Sequence, residues 1–110
     1  MQVDKAETVS FEKELNLVKD YLALENMRFE DRLKVEYEID EDTLDQQVPP
    51  MMLQTLVENA IKHGISPSRF GGEVSICARV EQSITDQNRN ADVLSISVRD
   101  TGTGASEIEL

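Results

Sequence analysis

Two short polar clusters carry the residue types that chemistry would need. The first is Glu58, Asn59, Lys62 and His63, crowded at one end of a segment whose other positions are strongly apolar. Asn59 and Lys62 are i, i+3 neighbours on a helix. Asn is a poor helix former, which makes its place between Glu58 and Ala60 informative. Its side-chain oxygen is a neutral hard ligand, suited to a Mg²⁺ ion that keeps its waters and bridges to phosphates. The same residues also read as a Glu58–Lys62 surface ion pair at i, i+4 beside a spectator Asn, worth roughly a few tenths of a kcal/mol.

The second cluster is Asp100-Thr101-Gly102-Thr103-Gly104, directly after an alternating apolar run. An Asp at a strand end can accept hydrogen bonds from an amino-bearing ligand. Gly102 and Gly104 permit left-handed backbone angles and close approach of a ligand. Asp and Gly also dominate ordinary turns, so the cluster equally reads as a simple reversal of the chain.

The elements that position these clusters follow from periodicity. Ser10 can cap a helix, with Glu12 and Glu14 near its positive end. Phe11, Leu15, Val18 and Leu22 recur at helical spacing, and Leu17, Tyr21 and Leu24 widen the stripe, predicting a long amphipathic helix to about Phe29. Leu33, Val35, Tyr37 and Ile39 alternate with charged residues as in a half-buried strand, which Asp40-Glu41-Asp42 ends in a polar turn. Pro49-Pro50 suits the first turn of a second helix. Leu53, Leu56, Val57, Ala60 and Ile61 mark its buried side, and Gly64 sits where a left-handed cap would close it. Residues 65–72 read as a loop. Val74 to Val80 and Leu94 to Val98 read as two strands of an antiparallel hairpin, joined by a polar, flexible connection over residues 82–91.

Composition narrows the function classes. The chain has 110 residues, the size of one domain. With 11 Lys and Arg against 22 Asp and Glu, its net charge of −11 repels a phosphate backbone, which argues against nucleic-acid binding. The single cysteine excludes an intrachain disulfide. No apolar run approaches the roughly 18 residues of a membrane span, and residues 1–10 do not read as a signal peptide. With no Trp and 5% aromatics, the core must be aliphatic.

The run Leu56-Val57-Glu58-Asn59-Ala60-Ile61-Lys62-His63-Gly64, followed after two strands by Asp100-Thr101-Gly102-Thr103-Gly104, resembles the ATP-binding fold shared by histidine kinases, gyrase, large heat-shock chaperones and mismatch-repair ATPases. The first segment is similar to that family's N box and the second to its first glycine box. The run from Phe11 to Tyr21, then Glu25-Asn26-Met27-Arg28-Phe29 and Val48-Pro49-Pro50, narrows the resemblance to bacterial LytS/YehU-like sensor histidine kinases. It covers about Ser10 to Gly104.

That resemblance implies an α+β fold, a two-layer α/β sandwich of the histidine-kinase ATPase type. Residues 1–9 would be a tail and 10–110 a partial ATP-binding domain. ATP and Mg²⁺ would be bound, with Asn59 holding the metal against the phosphates, and Lys62 and His63 facing them. Asp100 would read the adenine amino group, Gly102 and Gly104 would let the backbone pass beside base and ribose, and Glu58 would lie in the same motif. Gyrase and chaperone relatives carry an acid four residues before the Asn to activate water. Thr55 stands there, so an efficient hydrolase is not expected.

The resemblance also places the phosphoacceptor histidine upstream, since His63 is the only histidine and belongs to the nucleotide motif. The second glycine box, the ATP lid and the final strands are expected beyond Leu110, so the fragment alone should be inactive. A response regulator would be the partner of the full-length kinase, which would be anchored in the inner membrane with this part in the cytoplasm. The open sheet edge could pair two copies. Two other readings remain: a non-catalytic nucleotide-binding or protein-interaction module on the same fold, and an anti-sigma-factor-type serine kinase. The first helix and Val48-Pro49-Pro50 favour the sensor kinase over the latter.

Overall fold

The computed structural model describes residues 7–68, 70–84, 90–102 and 104–110, with backbone only at 82–84, 90 and 91. Strand β1 (Val9–Ser10) leads into helix α1 (Phe11–Arg28), followed by β2 (Leu33–Ile39), β3 (Gln47–Val48) and α2 (Met52–Asn59). A π-helical turn over Ala60–Ile65 continues α2, and β4 (Gly72–Ile84), β5 (Asn90–Asp100) and β6 (Gly104–Glu109) complete the order. The main sheet runs β2-β4-β5-β6, and β1 pairs with β3 in a separate two-stranded sheet. This is a mixed α/β fold: β2 and β4 are parallel, while β4–β5 and β5–β6 are antiparallel. Val9, in the segment expected to be a tail, pairs with Val48.

Periodicity explains the two layers. Val74, Ile76 and Ala78 of β4 and Leu94, Ile96 and Val98 of β5 are buried with Phe11, Leu15, Val18 and Leu22 of α1 and with Leu53 and Val57 of α2. Alternation sends Ser75, Cys77 and Arg79, and Ser95, Ser97 and Arg99, to the opposite, polar face. There the Arg79 guanidinium donates to Cys77 Sγ at 3.4 Å.

The ends of α1 match their expected chemistry. The Ser10 hydroxyl accepts the Lys13 N–H at 3.2 Å, with Glu12 and Glu14 in the first turn. Its core stripe is narrower than expected, because Leu17 and Leu24 stand 46% and 68% exposed. At about 100° per residue they fall roughly 130° and 150° from the centre of the buried row. Beyond Arg28 the chain reverses through Glu30 and Asp31, both at positive φ. Asn26 fixes that reversal: its carbonyl accepts the Asp31 N–H at 3.0 Å and its Oδ1 the Leu33 N–H at 3.2 Å.

Four expectations change. The prolines precede α2 instead of forming its first turn. Residues before proline are held extended, Val48 pairs in β3, and the chain enters the helix only after Met51, at φ 68°. Gly64 is not a left-handed cap: it lies inside the π-helical turn, where the Ser66 N–H reaches back five residues to the Ile61 carbonyl at 2.8 Å. The hairpin strands are longer than expected, β4 running to Ile84 and β5 starting at Asn90, so much of the expected connection is paired strand. Its centre, residues 85–89, lies outside the described residues. Finally, Gly104 begins strand β6, which pairs along β5 from Asp100↔Gly104 to Ser95↔Glu109.

A candidate nucleotide site between the second helix and the glycine turn

Helix α2 and strand β5 bring the two polar clusters together. Asn59, Ala60, His63, Val98, Asp100 and Ser106 line one open cavity of about 310 Å³. Asn59 and His63 are four residues apart and project from the same side of α2 and its π-helical continuation. Asp100 reaches the cavity from the last position of β5. Ser106, on β6, is a lining residue that the sequence did not single out, because only the β5–β6 pairing places it there.

The glycine turn is held from three directions. The Asp100 carboxylate accepts the Gly102 N–H at 2.8 Å through Oδ1. Thr101 bonds the start of β4: its N–H donates to the Glu73 carbonyl at 3.2 Å, and its Oγ1 accepts the Glu73 N–H at 3.3 Å. Gly64 lies directly against the turn. A Cβ on Gly64 would overlap the Asp100 carboxylate, and a Cβ on Gly102 would overlap the Gly64 carbonyl. The close approach at Gly102 is therefore to protein backbone. Gly104 supplies the positive φ, +106°, and faces open space. Neither Gly102 nor Gly104 lines the cavity.

Glu58 and Lys62 sit elsewhere. Glu58 Oε1 accepts the Gln54 side-chain N–H at 2.9 Å. With Glu25, it adds to the burial that raises the Tyr21 phenol above its usual range, which places it on the side of α2 facing α1. Among the described residues no ion pair joins Glu58 to Lys62. Glu58 is instead engaged one turn back, with Gln54. Thr55 is committed locally, its hydroxyl donating to the Met51 carbonyl at 2.7 Å.

Asp100 is the only carboxylate among the residues lining the cavity, and no Lys or Arg is among them. Among the described residues no group of three or more His, Cys, Asp or Glu side chains could hold a metal ion. The lining thus suits a polar organic ligand, and a divalent cation only where the ligand itself brings most of the coordination. No described helix is long and apolar enough to cross a membrane.

Sequence comparisons match this mixed α/β chain to segments of sensor kinases. It is 42% identical over 98 residues, 89% of the chain, to the sensor histidine kinase YpdA of Escherichia coli. It is 38% identical over 104 residues, 94% of the chain, to the sensor protein LytS of Staphylococcus saprophyticus. An uncharacterized Bacillus subtilis protein, YwpD, is 42% identical over 95 residues, 86% of the chain. The chain spans 16% of the length of YpdA and LytS and 31% of YwpD. No family profile matches it. The chain is homologous to a segment of LytS- and YpdA-type sensor histidine kinases.

Proposed function

We propose that this chain is the nucleotide-binding segment of a two-component sensor histidine kinase, on a sandwich of the histidine-kinase ATPase type. It would bind ATP, whose γ-phosphoryl group passes to a histidine outside the chain and then to a response regulator. The observation that carries the reading is the meeting of Asn59, His63 and Asp100 on one cavity, in a chain homologous to sensor kinases.

In this reading Asp100 accepts the adenine amino group, while Asn59 and His63 face the phosphate end. Mg²⁺ would enter on the phosphates with the Asn59 oxygen as its protein ligand, and would supply charge neutralisation there. Lys62, outside the lining, would reach the phosphates only from the flank, and Gly102 and Gly104, also outside it, would shape the turn behind Asp100. Catalysis by the whole kinase would be positioning and charge neutralisation. Thr55 stands where a water-activating acid would be, and its hydroxyl is engaged with Met51, which argues against efficient hydrolysis. The full-length kinase would be anchored in the bacterial inner membrane with this segment in the cytoplasm.

Calorimetry tests the reading. Adenosine, ADP and ATP should all bind, with ADP nearly as tight as ATP because no cation lines the cavity. Asp100→Asn presents a donor to the adenine amino group, costing about 1–3 kcal/mol for every adenine ligand. Asn59→Ala should weaken Mg²⁺-dependent binding of ATP and leave adenosine unchanged. Equal loss of adenosine binding in both variants, or no adenine binding at all, refutes the assignment.

A further inference from the structure

The contact between Gly64 and Asp100 joins the two halves of the site. Gly64 is buried in the π-helical turn, one residue after His63. The turn's far end is tied to α1, where the Arg28 guanidinium donates to the Ser66 hydroxyl at 3.2 Å. On one side of Gly64 lies the Asp100 carboxyl group: a Cβ there would stand 2.9 Å from Oδ2 and nearer still to the rest of the group. On its other flank the Gly64 carbonyl abuts the Cα of Gly102. Asp100 in turn holds Gly102 through its Oδ1. The Gly64 backbone is thus pressed into the ring that Asp100 closes on its own turn, and that fit exists only because neither glycine has a Cβ. Nothing in the backbone angle demands glycine at 64, since the positive-φ glycines are Gly71 and Gly104.

From this packing we infer that Gly64 is a positioning residue for Asp100, fixing the carboxylate at the orientation that selects an amino-bearing purine. This rests on the nucleotide reading above and adds to it the residue that sets its base specificity. The π-helical turn has a role in this: it places a Cβ-free residue opposite Asp100 while leaving Asn59 and His63 on the cavity. The three heavy atoms nearest a methyl group at position 64 all belong to the Asp100 side chain, so the carboxylate is what must move.

The test has a ligand arm and a ligand-free arm. In the first, adenosine and purine riboside, which lacks the amino group, are titrated into the wild-type chain and into Gly64→Ala. The preference for adenosine should fall about tenfold in the variant, the value of one lost hydrogen bond, while the Mg²⁺ dependence of ATP binding persists. Gly71→Ala is the control, because its strain at φ +78° against Arg32 lowers stability away from Asp100. It should leave the preference intact. An unchanged preference in Gly64→Ala overturns the inference.

In the second arm, thermal or urea unfolding compares Gly64→Ala, Asp100→Ala and the double variant. Removing the carboxylate should restore most of the stability lost by Gly64→Ala, because the clash partner is gone. Strict additivity overturns the inference even if the chain binds no nucleoside. Should Gly64→Ala alone fail to fold, recovery of folding in the double variant supports the contact and continued failure refutes it. Absence of wild-type adenosine binding would refute the nucleotide reading and, with it, the purine-selecting role of Gly64. The unfolding cycle would then decide only whether Gly64 fixes the Asp100 side chain.

Discussion

Thr101 and Glu73 exchange a reciprocal pair of hydrogen bonds. The Thr101 N–H donates to the Glu73 carbonyl at 3.2 Å, and the Thr101 hydroxyl accepts the Glu73 N–H at 3.3 Å. The side chain thereby continues the β4 ladder past the end of β5. A Cβ on neighbouring Gly72 would stand only 2.6 Å from the same hydroxyl. Thr101→Val keeps the shape and the backbone bond but leaves the Glu73 N–H without its acceptor. It should cost about 0.5–1.5 kcal/mol in urea unfolding and weaken adenosine binding, because the turn behind Asp100 loosens.

Helix α2 takes its cap from another helix. Its N-cap residue Met51 offers no side-chain acceptor. Glu14 of α1, almost fully buried, places Oε1 3.5 Å from the Gln54 N–H, in the first turn of α2. At that distance the attraction is largely that of a carboxylate for the positive end of a helix. Glu14→Ala should destabilise the chain by about 1–2 kcal/mol as read by denaturant unfolding. A change within error would mean that α2 is held by packing alone.

Tyr21 can report where Glu58 points. Burial raises its phenol pKa first, then the carboxylates of Glu25 and Glu58. The raised value means that the folded state holds the proton more tightly. The linked stability is therefore complete below the ordinary phenol range and is lost as pH climbs through the raised value. In a Tyr37→Phe background, which leaves Tyr21 as the only tyrosine, Glu58→Gln should lower the midpoint of the ultraviolet phenol titration. Nucleotide affinity should stay unchanged. An unmoved midpoint with weakened ATP binding would instead assign Glu58 to the cavity.

Association of copies should depend on salt. The sheet's outer strands, β2 and β6, carry Lys34, Glu36 and Glu38, and Glu107 and Glu109. Charges on edge strands oppose pairing with another chain, and the net charge of −11 adds repulsion. Light scattering should find monomers at low ionic strength and dimers as added salt shortens the Debye length. Glu107→Lys with Glu109→Lys should alter the salt dependence if β6 is the pairing edge.

Local periodicity made most of the elements legible. The rows Phe11-Leu15-Val18-Leu22 and Val74-Ile76-Ala78 are buried as their spacing predicts, because burial on one face needs only the period of the element. Ser10 caps as expected, since the capping partner is three residues away. What escaped depends on residues far apart in sequence. The clearest case is Gly64, whose place after Lys62-His63 suggested a helix stop. Its reason is Asp100, on another element, and no period carries that information. Ser106 and Thr101 escaped likewise, because their importance lies in strand registers. Asn59 and Asp100, singled out from residue type and motif, line one cavity, and Glu58, grouped with Asn59 by adjacency, does not line it.

The parallel pairing of β2 with β4 has a consequence for how the site comes into being. Because those strands run the same way, residues 40–71, with all of α2, form the crossover between them. Asp100 lies opposite Val74, which itself lies opposite Val35. The β4–β5 hairpin alone sets Asp100 opposite Val74, but its carboxylate meets Asn59 and His63 only once the crossover carrying α2 packs on the sheet, and such long-range closure is the slow, entropically costly part of building non-local sheets. A chain caught before the crossover closes displays Asn59 and Asp100 on unconnected helix and hairpin, and recognition of a ligand arrives with their meeting.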